Sequence, residues 1–255
     1  MILRHIRISP AGLPGTLWLP HSPKGLVALV HGSGSDRFNS RNSALAAALS
    51  QQGFATLLLD LLTIHEERLR WNILDIGLLA IRLSGVIDWT AGQPNLAKLP
   101  LGVFATGTAA AAALVAAKRR PIQAIVSYAG RPDLAHEILD DVHVPVLLLV
   151  PESHGPLTTD NQLACRRLKD PKAIRIIPWA GQPWNEADAI TGIAVLAVDW
   201  FNHHLHPSTI TTAKPPDHLG QASSPRPQPQ QVRPGVRLGR DHECLRQIRR
   251  RENDR

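Results

Sequence analysis

Apolar segments of strand length alternate with amphipathic segments through residues 1–205, and this alternation constrains the fold more than any other feature of the sequence. The apolar segments are rich in Val, Ile and Leu on both faces, as in parallel strands that are buried between two layers of helices. They span residues 26–30, 55–60, 101–105, 124–128, 146–150 and 174–178, and the segments with helical periodicity span residues 42–51, 71–89, 108–118, 159–168 and 188–204. Because strands and helices alternate, we predict an α/β fold with a doubly wound, mostly parallel sheet. Residues 2–8 and 15–19 predict an antiparallel hairpin at the edge of that sheet.

The composition changes after about residue 205, where Pro, Ser, Gln and Arg replace the large apolar side chains. Residues 206–255 contain ten Lys and Arg against five Asp and Glu, a charge of +5, which leaves +2 of the formal +7 for residues 1–205. A segment with few apolar side chains cannot offset the entropy that it would lose on ordering. We therefore predict a folded domain at residues 1–205 and a disordered basic tail at residues 206–255. A solvated tail without a specific role and an arm that binds nucleic acid or an acidic partner are both compatible with this composition.

The two cysteines, Cys165 and Cys244, lie far apart and form no C-x-x-C motif, which argues against a disulfide framework and a cysteine-rich zinc site. The N-terminal residues lack an apolar run of signal-peptide length, and no segment reaches the roughly 18–20 apolar residues that a transmembrane helix needs. These features predict a cytoplasmic protein that does not interact with membranes. No motif indicates a bound cofactor.

Doubly wound sheets bind their ligands at the carboxyl ends of the strands, and the loop after residues 26–30 has a distinctive sequence there. It contains His31, Gly32, Ser33, Gly34, Ser35, Asp36 and Arg37, and Arg41 follows shortly after. This pattern resembles the oxyanion loop of dienelactone-hydrolase-like proteins in the α/β-hydrolase superfamily. Segments that resemble the same family follow in order at residues 57–63, 75–83, 101–117, 130–134 and 198–205. The resemblance covers residues 20–205 and implies the α/β-hydrolase fold.

The resemblance also implies a site in which a serine at a strand-to-helix turn is activated by a histidine that a carboxylate orients. Residues 102–110 match the family's strand–turn–helix unit without gaps, and this register places Gly107 at the nucleophile position. Glycine suits the positive φ of such a turn, yet it has no side chain that could attack a carbonyl carbon. Thr106 and Thr108 flank the position, and a threonine can act as a nucleophile when a base adjoins it. Thr108 is expected instead to begin the next helix as a cap or to contribute its backbone N–H group.

The two other positions of the implied triad are also substituted. The loop after residues 146–150 places His154 at the carboxylate position, and Glu152 is the only acidic residue nearby. A histidine there would repel a protonated imidazole instead of stabilising it. The last loop places Gln182 at the histidine position, and a primary amide does not take up a proton near neutral pH. The resemblance therefore implies a fold whose nucleophile, acid and base are all replaced.

Groups that could bind a ligand are retained although the triad is not. The residues that we predict to form an oxyanion or ligand site are His31, Gly32, Ser33, Gly34, Ser35, Arg37, Arg41 and Thr108. The backbone N–H groups of residues 33–35 and of Thr108 are expected to form an anion-accepting nest, and His31 is expected to support the loop. His136 and His143 lie beside acidic residues, but their spacing fits no rigid ligand pattern, so no metal site is predicted.

Three functions are compatible with these residues. The first is a non-catalytic α/β-hydrolase-fold protein that binds a small anionic or carbonyl ligand or a protein partner. The second is an active hydrolase of esters or other carbonyl substrates that uses a non-standard site built from Thr106 or Thr108, Glu152 and His154. The third is binding of nucleic acid or of an acidic partner through the basic tail.

Overall fold

The computed structural model describes residues 1–31, 39–152, 155–178 and 186–206. Within these residues the strands are β1 (Ile2–Ile8), β2 (Leu13–Leu19), β3 (Gly25–Val30), β4 (Phe54–Leu59), β5 (Leu101–Gly107), β6 (Ala124–Gly130), β7 (Val146–Pro151) and β8 (Lys172–Ile177). They form one sheet in the order β1-β2-β4-β3-β5-β6-β7-β8. β2 is antiparallel to β1 and to β4, and the other neighbouring strands are parallel. The structure thus confirms the doubly wound, mostly parallel sheet and the antiparallel hairpin at its edge.

Helices cover both faces of the sheet. They are α1 (Ser40–Gln51), α2 (Ile64–Glu67), α3 (Arg70–Leu74), α4 (Ile76–Ala91), α5 (Thr108–Ala117), α6 (Gly155–Arg167) and α7 (Glu186–His204), and a 3₁₀ segment spans Pro132–Asp141. Buried side chains of α4, α5, α6 and the 3₁₀ segment pack on one face, whereas those of α1 and α7 pack on the other. Every residue of β3, β4 and β7 is buried. Burial on both faces explains why these strands are apolar throughout instead of alternating.

The C-terminal helix α7 is anchored to the sheet by an aromatic contact. Phe201 is fully buried, and its ring packs edge-to-face on Phe54 of β4 with the ring centroids 6.1 Å apart. Burying a phenylalanine side chain stabilises a fold by roughly 1.5–3 kcal/mol. Through this contact, α7 covers β4, which lies beside β3 in the sheet.

One predicted helix is divided in two. Residues 71–89 have continuous helical periodicity, but α3 ends at Leu74 and α4 begins at Ile76. Asp75 separates them with φ −78° and ψ 86°, and its Oδ1 accepts a hydrogen bond from the backbone N–H of Leu78 at 2.8 Å. An aspartate side chain that caps a helix competes with continuation of the helix through its own backbone. Periodicity alone does not reveal that competition.

The predicted tail at residues 206–255 lies outside the described residues except for His206, so the division between a domain and a tail stays a prediction. The backbone N–H of His206 donates to Oε1 of Gln123 at 3.0 Å. Among the helices that the structure describes, none has both the length and the apolar composition that crossing a membrane requires.

Candidate functional site

The carboxyl ends of three neighbouring strands meet at the centre of the sheet. β3 ends at Val30, β5 at Gly107 and β6 at Gly130. The register pairs Val30 with Ala105 and Gly107 with Gly130, so that His31 follows β3 beside the end of β5. The chain leaves β3 toward α1 on one face and leaves β5 toward α5 on the other. In doubly wound sheets, ligands bind in a crevice at the carboxyl ends of neighbouring strands whose helices lie on opposite faces. The ends of β3 and β5 meet this condition, and we refer to the place between them as the crevice.

Gly107 forms the sharp turn between β5 and α5. It has φ 56° and ψ −134°, and it occupies the N-cap position of α5. A residue with a Cβ is strongly disfavoured in this region of backbone conformation. The structure therefore places Gly107 at a turn that glycine stabilises. Its equivalence to a catalytic nucleophile stays a prediction.

Thr108 is the first residue of α5, and its N-cap residue is Gly107, which has no side chain that could cap the helix. The expectation that Thr108 could act as the cap is wrong, because Gly107 already occupies the cap position. The Thr108 side chain is only 8% exposed, and its Oγ1 has no hydrogen-bond partner among the described residues. The N–H groups of a helix's first turn have no acceptor within the helix and carry the positive end of its dipole. A small anion at this end of α5 would accept hydrogen bonds from these N–H groups, and its charge would be stabilised by the helix dipole.

β6 approaches the turn closely at Gly130. The backbone N–H of Arg131 donates to the carbonyl oxygen of Gly107 at 2.9 Å. A Cβ added to Gly130 would lie 2.0 Å from Oγ of Ser127 and 2.5 Å from Cβ of Ala110. Those separations are shorter than atoms tolerate, so only glycine allows β6 to lie this close to α5.

Two side-chain contacts hold the segment that follows β6. Asn161 of α6 is 1% exposed, and its Nδ2 donates to the carbonyl oxygen of Gly130 at 3.0 Å. The guanidinium of Arg131 donates to the carboxylate of Asp133 through Nε at 2.8 Å and Nη2 at 2.6 Å. Sequence reasoning identified the turn at residues 130–134 but missed Asn161. No motif marks that residue, because its partner lies 31 positions away.

Arg41 and Tyr128 lie on the face of the sheet that α1 and α7 cover, opposite to the face that α5 covers. Arg41 is in the first turn of α1, where its backbone N–H donates to Oδ1 of Asn39 at 2.9 Å. Tyr128 lies near the carboxyl end of β6 in register with Thr106, and its half-buried ring packs against the apolar cluster of α1 and α7. Burial raises the pKa of Tyr128, and the positive charge of Arg41 partly opposes that rise. The sequence predicted Arg41 as a site residue and gave no signal for Tyr128.

The remaining predicted residues are only partly covered by the structure. His31 is buried at the end of β3, and its role in supporting the loop stays a prediction. The predicted residues that lie outside the described ones are Gly32, Ser33, Gly34, Ser35, Arg37, His154 and Gln182. Their assignment to the site therefore stays a prediction as well.

Glu152, considered in the sequence as a substitute acid, directly follows β7. Its backbone N–H donates to the carbonyl oxygen of Ile177 at 3.2 Å, and its side chain is exposed. Exposure fits the interpretation of Glu152 as a solvated loop residue. His136 and His143 are exposed too, and within the described parts of the chain no three His, Cys, Asp or Glu side chains are grouped to hold a metal ion.

The fold is shared with known hydrolases. No model of a protein family matches the chain. A dienelactone hydrolase from Anabaena variabilis is 41% identical, with a TM-score of 0.74 over 80% of this chain and 99% of that chain. A cold-adapted esterase from an Arctic intertidal metagenomic library is 15% identical, with a TM-score of 0.62 over 80% of this chain and 93% of that chain. The fold is that of the α/β-hydrolases. The chain belongs to the dienelactone hydrolase family, as the sequence resemblance predicted.

Two curated relatives are longer proteins. They come from Mycobacterium tuberculosis strains CDC 1551 and H37Rv, and each is 44% identical over 198 residues, or 77% of this chain. Their name proposes that they are phosphoribosyl transferases. The chain spans 45% of the length of these relatives, so more than half of each relative lies outside the matched region.

Proposed function

We propose that this protein binds a small anionic or carbonyl ligand at the turn between β5 and α5 and does not hydrolyse it. The proposal rests on two properties of Gly107: the conformation of its backbone and its lack of a side chain. The backbone has a positive φ of 56° at a sharp strand-to-helix turn, as a nucleophile-bearing turn does, and the residue has no side chain. Both properties support the proposal that the turn of the family's nucleophile is kept whereas the attacking atom is lost.

The start of α5 supports binding of an anion. Its first N–H groups lack acceptors within the helix, and the buried hydroxyl of Thr108 has no partner among the described residues. Arg41 adds a positive charge on the α1 side of the crevice, and the backbone of residues 33–35 is proposed to complete the nest. A carboxylate or a phosphate group matches this set of donors. The name of the mycobacterial relatives suggests a phosphorylated sugar as a probe, although the chain spans 45% of their length.

His154 and Gln182 are proposed to occupy the acid and base positions of the family's triad. An amide at position 182 cannot accept the proton of a nucleophile, and a histidine at position 154 cannot stabilise a charged imidazole. Loss of these two groups would prevent hydrolysis even if a neighbouring hydroxyl could reach the ligand.

A search for serine-hydrolase chemistry tests the catalytic half of the proposal. We expect no labelling by a fluorophosphonate probe and no turnover of p-nitrophenyl acetate above the background rate. The competing function, a hydrolase with a threonine nucleophile, is favoured by the hydroxyl of Thr108, which has no hydrogen-bond partner in the described part of the chain. Turnover by the natural protein that is abolished by Thr106→Ala or Thr108→Ala would establish that function and overturn ours.

A titration with small anions tests the binding half. Ribose 5-phosphate, inorganic phosphate and acetate are compared by isothermal calorimetry and by thermal shift. A ligand at one hundred times its Kd stabilises a protein by about 2.7 kcal/mol. Arg41→Ala should weaken binding, whereas Arg4→Ala, which removes the same charge from the exposed edge strand β1, should not. Absence of binding by all three anions would contradict the proposal.

Restoring the three side chains tests the assignment of the triad positions. The combined variant Gly107→Ser, His154→Asp and Gln182→His should hydrolyse p-nitrophenyl acetate, because triad residues act as a unit. The matched control carries Gly107→Ala with the other two changes and should be inactive. A folded triple variant without activity would contradict the assignment of these positions.

We propose that the basic tail, residues 206–255 with a charge of +5, is the part of the chain that would bind nucleic acid or an acidic partner. Electrostatic binding of nucleic acid would weaken steeply with salt. Deleting residues 206–255 should abolish such binding in a gel-shift assay, and affinity that survives the deletion would exclude the tail as its source.

A further inference from the structure

We propose that Tyr128 is a ligand-contacting residue of this crevice, where its phenol hydroxyl and the guanidinium of Arg41 together select a ligand with a carboxylate or phosphate group. The inference rests on the proposed binding function and adds to it a side chain that determines which ligands are accepted.

The first support is the position of Tyr128 in the sheet. Its register partner is Thr106, the residue before Gly107, and neighbouring strands lie about 4.8 Å apart. Two residues later, Gly130 is paired with Gly107. Tyr128 therefore lies one strand away from the turn at which we place the ligand.

The second support is the face on which the ring lies. Phe104 and Val126 belong to the cluster that packs against α1 and α7, and side chains alternate between the two faces of a strand. Two residues farther along β6, Tyr128 packs against the same cluster. The ring of Tyr128 thus lies on the face of the sheet that α1 covers, and Arg41 lies in the first turn of that helix.

The third support is the chemistry of the pair. Burial raises the pKa of Tyr128, so the phenol keeps its proton at neutral pH and can donate a hydrogen bond. Arg41 is always charged and offers only donors. A donor beside a cation favours an anionic oxygen, since charge-assisted hydrogen bonds are about twice as strong as neutral ones. A neutral carbonyl would gain the hydrogen bond but not the attraction to the charge.

Removal of the hydroxyl distinguishes ligand contact from apolar packing. Tyr128→Phe keeps the ring in the cluster and removes only the donor. We expect the affinity of the full-length protein for inorganic phosphate to fall by about tenfold or more. Arg41→Ala should cause a similar loss, and Arg4→Ala should cause none. If Tyr128→Phe binds phosphate as well as the natural protein does, the role of Tyr128 is wrong while the binding function stands.

A spectroscopic titration gives a direct reading, because Tyr128 is the single tyrosine of the chain. The tyrosinate absorbance at 295 nm therefore reports on this residue, and Tyr128→Phe is the blank. Saturating phosphate should move the midpoint to higher pH by about one pH unit relative to sodium chloride of equal ionic strength. Arg41→Ala should raise the midpoint without phosphate, since a charge that favours ionisation is removed.

The possible results separate the two proposals. An unchanged midpoint in a protein that binds phosphate would overturn the contact between Tyr128 and the ligand. A protein that binds neither phosphate nor the other anions would overturn the proposed function itself. Circular dichroism over the same pH range verifies that the fold is intact at each midpoint.

Discussion

Substitution of Gly107 by serine should destabilise the protein even though it restores the residue type of the family's nucleophile. Serine would have to adopt φ 56° and ψ −134°, and a residue with a Cβ loses about 1–3 kcal/mol in such a conformation. For a folded domain of this size, 1 kcal/mol lowers the Tm by roughly 2–4 °C. A loss of about 2 kcal/mol therefore corresponds to a decrease of roughly 4–8 °C. Urea unfolding monitored by tryptophan fluorescence gives the free energy directly.

The same chemical change elsewhere in the chain provides the control. Gly85 lies inside α4, and a Cβ there would meet no atom of the described residues within 4 Å. Gly85→Ser should therefore stabilise the protein by up to about 0.5 kcal/mol, because glycine is the poorer helix former. Gly12 combines a φ of 67° with open space, so Gly12→Ser isolates the cost of the backbone conformation from any clash. If Gly107→Ser is as stable as Gly85→Ser, the strained turn that we describe is not formed.

Two further substitutions test the packing and the electrostatics of the fold. Phe201→Ala should lower the free energy of unfolding by about 3–5 kcal/mol, because it removes a fully buried ring that packs on Phe54. A loss below about 1 kcal/mol in urea unfolding would contradict that packing. Glu66 accepts a hydrogen bond from the backbone of Thr63 and pairs with Arg82, which lowers its pKa from the ordinary value of 4.5. Its contribution to stability is therefore complete above about pH 4.5 and is lost as the pH falls through the lower pKa of the folded state. Glu66→Gln should destabilise the protein at pH 7 and much less at pH 3, whereas Glu67→Gln on the same short helix should have little effect at either pH.

Much of the architecture can be predicted from the sequence because it depends on local periodicity. Strands that are buried on both faces must be apolar throughout, and helices that cover them must be apolar on one side, so their order along the chain is readable. The hairpin at residues 2–19 follows from the same reasoning. The division at Asp75 could not be read in this way, since periodicity continues through a residue whose side chain caps the next helix.

The sequence by itself determined the family, the succession of strands and helices, and the absence of a side chain at Gly107. Each of these depends on residue identity or on spacing along the chain. The tertiary structure alone decided that Thr108 does not cap α5, that Asn161 holds the end of β6, and that Tyr128 lies beside the turn. These properties depend on strand register and on contacts between residues distant in sequence, and no local pattern encodes them.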